Sequence, residues 1–225
     1  MTSAAGAPPR AWAVRAVASG LLLPAVAGAA CVFGFAPFYA WPVPIVSLAL
    51  LLYTFARSGT PLRAFLSGFA FGLGYFLAGV SWVFVSLHEF GSMPAPLAAA
   101  ATFLFCAYLA LFPAGAGWAT LRFGPASNAG RLAFAAAALV VFEWLRGWLF
   151  TGFPWLNLGT SQAPASPLAG YAPLVGAYGT SLAVTGAAAL LAGLVASATW
   201  SRARAFAAAG LVAIFVGGGV SGAIE

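Results

Sequence analysis

Of 225 residues none is lysine and none is aspartate, and the only acids are Glu89, Glu143 and Glu225. The absence of lysine excludes a Schiff base and a lysine-assisted nucleophile. The absence of aspartate excludes a Ser-His-Asp triad. There are two cysteines, Cys31 and Cys106, each inside an apolar run. Their spacing offers neither a metal site nor a structural disulfide, and apolar surroundings do not activate a thiol. No glycine-rich phosphate loop follows a strand. The residues alone therefore present no covalent catalytic centre. Charge itself is scarce, at 5% of residues against roughly 25% in a soluble domain.

What fills the chain instead is apolar: 63% of residues are hydrophobic and the mean hydropathy is +1.01. A water-soluble fold of this length cannot hide that much apolar surface. In lipid every backbone polar group must be satisfied within the chain, which leaves helical bundles and closed barrels. Barrel strands alternate apolar and polar residues. Here the runs are apolar on all sides for about 20 residues, the length of a membrane helix. The expected fold is an all-α membrane protein, a bundle of about seven transmembrane helices forming one polytopic domain over residues 1–225. The predicted spans are 12–32, 43–55, 64–85, 94–118, 132–150, 174–200 and 205–220. The first imitates a cleaved leader, with Arg10 and Arg15 before an apolar run that reaches Gly28-Ala29-Ala30-Cys31. Gly28 stands where a lipoprotein cleavage box needs a large aliphatic residue, and the chain stays apolar beyond Cys31, so a membrane helix is the reading.

The arginines test that count. Arg10 and Arg15 precede the first span, Arg57 and Arg63 lie between the second and third, Arg122 and Arg131 between the fourth and fifth, and Arg202 and Arg204 between the sixth and seventh. These are alternate connections, all on one side, and the positive-inside rule makes that side the cytoplasm. The N-terminus is then cytoplasmic and Glu225 emerges on the periplasmic side. The net charge of +6 is thereby explained by topology, and no nucleic-acid partner is implied. Small-residue pairs such as Gly68 and Gly72, or Gly218 and Gly222, read as helix-packing positions. No internal repeat is evident, which argues against a transporter built from inverted halves.

Three places could carry chemistry. Glu143 and Arg146 are three apart and share a helix face. With the span ending near 150, Glu143 lies roughly 10 Å below its outer end, at 1.5 Å per residue. An ionisable residue at that depth is paired or functional. One reading is a self-neutralising pair facing the bundle. The other is a headgroup clamp in which Arg146 meets a phosphate bidentately and Glu143 an ammonium. The stretch that follows, Thr151 to Pro173, is 23 residues of neutral, Pro/Gly-rich sequence. That is long for a bundle connection and reads as either a functional loop or a passive lid on the membrane surface. His88 and Glu89, just beyond the third span, could do acid–base work or form solvated surface.

Several segments carry a resemblance. They are Phe33-Gly34-Phe35-Ala36-Pro37-Phe38 with Trp41-Pro42, Gly79-Val80-Ser81-Trp82 through His88-Glu89-Phe90-Gly91, and above all Glu143-Trp144-Leu145-Arg146-Gly147 running to Gly152-Phe153-Pro154-Trp155. Gly159, Ser161-Gln162, Ser166-Pro167-Leu168 and Gly176-Ala177-Tyr178-Gly179 follow in order. Together they resemble the membrane half of the bacterial apolipoprotein N-acyltransferase family over nearly the whole chain. The resemblance implies a multi-pass protein of the bacterial inner membrane. Its partners are a phosphatidylethanolamine-like phospholipid and diacylated lipoproteins, and it uses no cofactor and no metal. In the family an acyl chain passes from the phospholipid to a cysteine and then to the N-terminal cysteine amine of the lipoprotein. That cysteine, with a glutamate and a lysine, belongs to a nitrilase-like domain that follows the seventh helix. This chain stops at Glu225 and has no lysine, so the expectation is a truncated form that lacks the Glu-Lys-Cys triad and is inactive alone, the nitrilase-like domain being separate or downstream. His88, Glu143, Arg146, Phe153 and Trp155 match family motif positions. The resemblance makes them substrate-pocket or structural residues, with no catalytic residue among them. The alternatives are a non-catalytic lipid-binding or assembly membrane protein, and a small transporter.

Overall fold

The computed structural model describes residues 10–196 and 202–223, and the described residues are helical with no strand. Seven long helices account for most of them, close to the seven predicted spans: α1 (Arg10–Cys31), α2 (Pro42–Arg57), α3 (Pro61–Gly79), α5 (Ala95–Phe123), α6 (Asn128–Arg146), α7 (Ala172–Ala196) and α8 (Arg202–Ala223). A single short turn, α4 (Trp82–Val85), lies between α3 and α5. Five helices are long and apolar enough to cross a membrane, and the Gly20–Gly34 and Pro42–Arg57 segments are shorter apolar helices. The protein is an all-α, multi-pass membrane bundle.

The starts of α3 and α6 are written in local chemistry. Thr60 caps α3, its Oγ1 accepting from the Arg63 N–H at 3.3 Å, and Pro61 occupies the first helical position where no N–H is needed. Ser127 caps α6 in the same way, accepting from Gly130 N–H at 3.3 Å. Packing depends on small residues. A Cβ at Gly68 or Gly72 would run into Pro113 and Ala110, so glycine is what lets α3 and α5 approach this closely.

Contacts fix which ends lie together. The end of α2 meets the start of α6, where Arg131 Nη1 donates to the Ala56 carbonyl at 3.2 Å. The end of α5 meets the start of α3, where Gly117 packs on Ala64 and Phe55. Arg57, Arg63, Arg122 and Arg131 therefore share one end of the bundle. At the other end Gly34 packs on Pro44 and Ser161, Gly79 on Leu156, and Gly218 and Gly222 on the 167–170 segment. The alternation of charge along the sequence is thus a separation of charge in space. The exit of Glu225 lies outside the described residues.

Three span ends differ from the sequence reading by four residues or more. The third span stops at Gly79 instead of 85, and the chain turns through Val80 (φ −121) into α4 and a π-helical turn at Ser86–Phe90. The fourth runs on to Phe123. The fifth ends at Arg146 instead of 150. Hydropathy cannot see that last stop, because Trp148-Leu149-Phe150 is as apolar as the helix before it. The stop comes from the chain folding back, with Phe153 N–H donating to the Arg146 carbonyl at 2.8 Å. Glu143 consequently sits in the last turn, about 4.5 Å along the axis from the helix end at 1.5 Å per residue, not 10 Å.

Candidate functional site

The long neutral segment after α6 is part of the core. It forms 3-10 turns at Leu158–Gln162 and Pro167–Tyr171, and Leu158, Ser161, Gln162 and Leu168 are fully or almost fully buried. A polar backbone brought this deep must find partners. Four elements supply them. Arg146 Nη1 donates to the carbonyls of Phe153 (2.5 Å) and Trp155 (2.6 Å), and Nη2 to Asn157 Oδ1 (3.3 Å). Glu143 Oε1 accepts from the Leu158 N–H at 2.7 Å. Tyr75 of α3 donates its hydroxyl to the Leu156 carbonyl at 2.8 Å, and Ser181 Oγ of α7 accepts from Gly159 N–H at 2.8 Å. Gln162 Nε2 reaches the Trp41 carbonyl, at the start of α2, at 3.4 Å.

Glu143 and Arg146 do face each other, Oε1 to Nη2 at 3.9 Å, with side chains only 6% and 3% exposed. The guanidinium also lies over the Phe76 ring, 5.3 Å from its centre. The pair is turned into the bundle, and its hydrogen bonds go to the loop.

That grip holds a backbone that would not adopt this shape unaided. Phe150, Thr151 and Leu156 have φ of +50, +76 and +55, a region that costs a non-glycine residue roughly 1–2 kcal/mol. Gly152, at φ +75, sits where a Cβ would strike the Gly147 carbonyl. The consequence is an aromatic wall. Phe153 and Trp155 stack with ring centres 6.0 Å apart, Phe105 of α5 meets Phe153 edge-on at 5.0 Å, and Trp82 of α4 lies 5.9 Å from Trp155. Trp155 and Trp82 remain 55% and 46% exposed. An exposed cluster of large rings at one end of a membrane bundle is where amphipathic aromatics meet the lipid interface.

Of the five residues singled out in the sequence, Glu143, Arg146, Phe153 and Trp155 form one unit. His88 does not join it. It sits in the Ser86–Phe90 turn, half-buried, where Nδ1 donates to the Met93 carbonyl at 2.8 Å and the ring lies 5.5 Å from Phe84. No hydrogen bond or ring contact links it to the other four among the described residues. Its neighbour Glu89 is exposed. Residues that sequence reasoning did not single out are Tyr75, Trp82, Phe105, Asn157 and Ser181. Trp82 lies in a motif-bearing stretch and Asn157 in the long neutral segment from Thr151 to Pro173. Tyr75, Phe105 and Ser181 sit in helical runs with no local mark.

The family model of the apolipoprotein N-acyltransferase N-terminal domain matches residues 27–190. An apolipoprotein N-acyltransferase of Nitrosomonas europaea is 57% identical over 166 residues, covering 73% of this chain and 33% of the relative. One of Methylococcus capsulatus is 47% identical over 207 residues, covering 90% of this chain and 38% of the relative. One of Coxiella burnetii is 49% identical over 165 residues, covering 72% and 34%. The chain spans little more than a third of the length of the curated relatives it matches.

Proposed function

The chain belongs to the apolipoprotein N-acyltransferase family, and from that premise we propose that its helices hold and orient the lipid substrates of an N-acyl transfer. The reaction moves a fatty acyl chain from a phosphatidylethanolamine-like phospholipid to the N-terminal cysteine amine of a diacylated lipoprotein. The residues of this chain bind and position. The reacting cysteine, glutamate and lysine come from a nitrilase-like domain outside residues 1–225. The bundle lies in the bacterial inner membrane with its arginine end in the cytoplasm and its loop end in the outer leaflet.

One observation carries this reading. Arg146, held by Glu143, fastens the loop so that Phe153 and Trp155 build a half-exposed aromatic wall with Trp82 and Phe105. Acyl chains lie along such a wall while headgroups stay at the interface. In this role Arg146 and Glu143 are positioning residues, Phe153 and Trp155 are substrate-facing, and His88 shapes the turn beside them.

Crosslinking tests it. A phosphatidylethanolamine with a photoactivatable acyl chain, incorporated with the full chain in nanodiscs, labels peptides 80–90, 103–112 and 150–157. Phe153→Ala with Trp155→Ala lowers the yield several-fold. Labelling spread evenly over all helices, or unchanged in the double variant, overturns the reading. In the same samples neither Cys31 nor Cys106 acquires a thioester-linked acyl group; hydroxylamine-labile acylation of either overturns the assignment of the chemistry to another domain.

A further inference from the structure

The end of the bundle opposite the aromatic wall has a basin of its own. It lies between α1, α2 and α3 and has a volume of about 480 Å³.

 Its polar wall is Tyr53, Thr54, Arg57, Ser58, Arg63 and Ser67, and its apolar wall includes Leu21 and Leu66. The Thr54 and Ser58 hydroxyls are already donated to the carbonyls of Leu51 (2.6 Å) and Thr54 (2.8 Å). The charged donors facing the basin are the two exposed guanidiniums, with the Tyr53 and Ser67 hydroxyls beside them.

Among the described residues neither cation has a carboxylate near it: Glu89 lies at the other end of the bundle, and Glu143 is buried under the loop beside Arg146. The basin also continues as a groove. On α2 the residues Val43, Val46, Leu50, Tyr53, Thr54 and Arg57 recur every three or four positions and so form one stripe. On α1 the stripe Gly20, Leu23, Ala27, Ala30 faces it, enclosing a further 340 Å³. From Arg57 to Val43 the groove is about 21 Å long at 1.5 Å per residue, more than one leaflet's half of the roughly 30 Å hydrocarbon core.

We propose that this basin and groove bind one anionic phospholipid of the arginine-side leaflet, its phosphate between Arg57 and Arg63 and an acyl chain between α1 and α2. Guanidiniums meet phosphate oxygens bidentately, and basic pockets between helices on the cytoplasmic side suit anionic headgroups. The site is at the opposite end from the aromatic wall and stands whether or not that wall holds substrate.

The test is titration of the delipidated full chain with phosphatidylglycerol, read by native mass spectrometry. Phosphatidylglycerol is retained as a single adduct and phosphatidylcholine is held more weakly. Arg57→Gln with Arg63→Gln weakens retention roughly 30-fold, from about a fivefold contribution per basic residue near the surface. Leu50→Trp, which fills the groove and leaves both charges, also weakens it, so the site is still tested if the double variant fails to fold. Arg122→Gln, at the same end but outside the basin, leaves retention unchanged. Equal binding of phosphatidylcholine, retention within twofold in the double variant, or no effect of Leu50→Trp overturns the proposal. So does displacement of the lipid by millimolar inorganic phosphate, which would make this a free-phosphate site.

Discussion

Replacing Arg146 by methionine keeps a long apolar stem and removes every bond the guanidinium makes. The carbonyls of Phe153 and Trp155 and the side chain of Asn157 lose their donor, and Glu143 loses its counter-charge. Three hydrogen bonds at the ~0.6 kcal/mol average measured inside bilayers give a floor of about 2 kcal/mol. Breaking a buried ion pair from one side costs about 3–5 kcal/mol. The expected destabilisation is therefore about 2–5 kcal/mol. It is measured by unfolding the full chain from mild detergent into SDS, following tryptophan fluorescence, because Trp82, Trp148 and Trp155 surround the loop. Chymotryptic cleavage between 148 and 156 should accelerate at least tenfold, since 1.4 kcal/mol of opening free energy is a factor of ten. Glu143→Leu completes the cycle. The double variant removes both charges together and should cost less than the sum of the singles by about 1–3 kcal/mol. A change below about 1 kcal/mol for Arg146→Met, or strict additivity in the cycle, would refute the idea that this pair fastens the loop.

Two further outcomes follow from the packing and the charge asymmetry. Gly72→Leu forces α3 away from Pro113 and Ala110 of α5 and should destabilise the bundle by about 1–3 kcal/mol or more, the cost of overpacking a close contact; full stability in the same SDS titration would mean the two helices can part freely. A reporter active only in the cytoplasm, inserted at Gly59, should be active, and the same reporter inserted at Ser92 should be silent; the reverse pattern would invert the topology.

The helices were legible because each needs only a local signal. Long apolar runs and arginines in alternate connections locate them, while the Thr60 and Ser127 caps, which start α3 and α6 at 61 and 128 instead of 64 and 132, went unread. The α6 boundary was not legible, since Trp148, Leu149 and Phe150 extend the apolar run past the real stop. Glu143 and Arg146 stood out as rare charges in an apolar chain, but their partners did not. Those partners are main-chain groups of residues 153, 155 and 158 and have no signature in side-chain identity. Tyr75 and Ser181 are 81 and 22 residues from the loop atoms they bond, too far apart for any periodicity to connect them.

By itself, then, the sequence determined the solvent, the helix count and which connections carry charge, because hydrophobicity and charge act residue by residue. Tertiary structure decided that the segment after α6 enters the core, that Arg146 binds backbone, and that His88 stands apart from the other candidates. Those outcomes depend on where carbonyls and N–H groups from distant segments meet in a medium that leaves none of them unpaired.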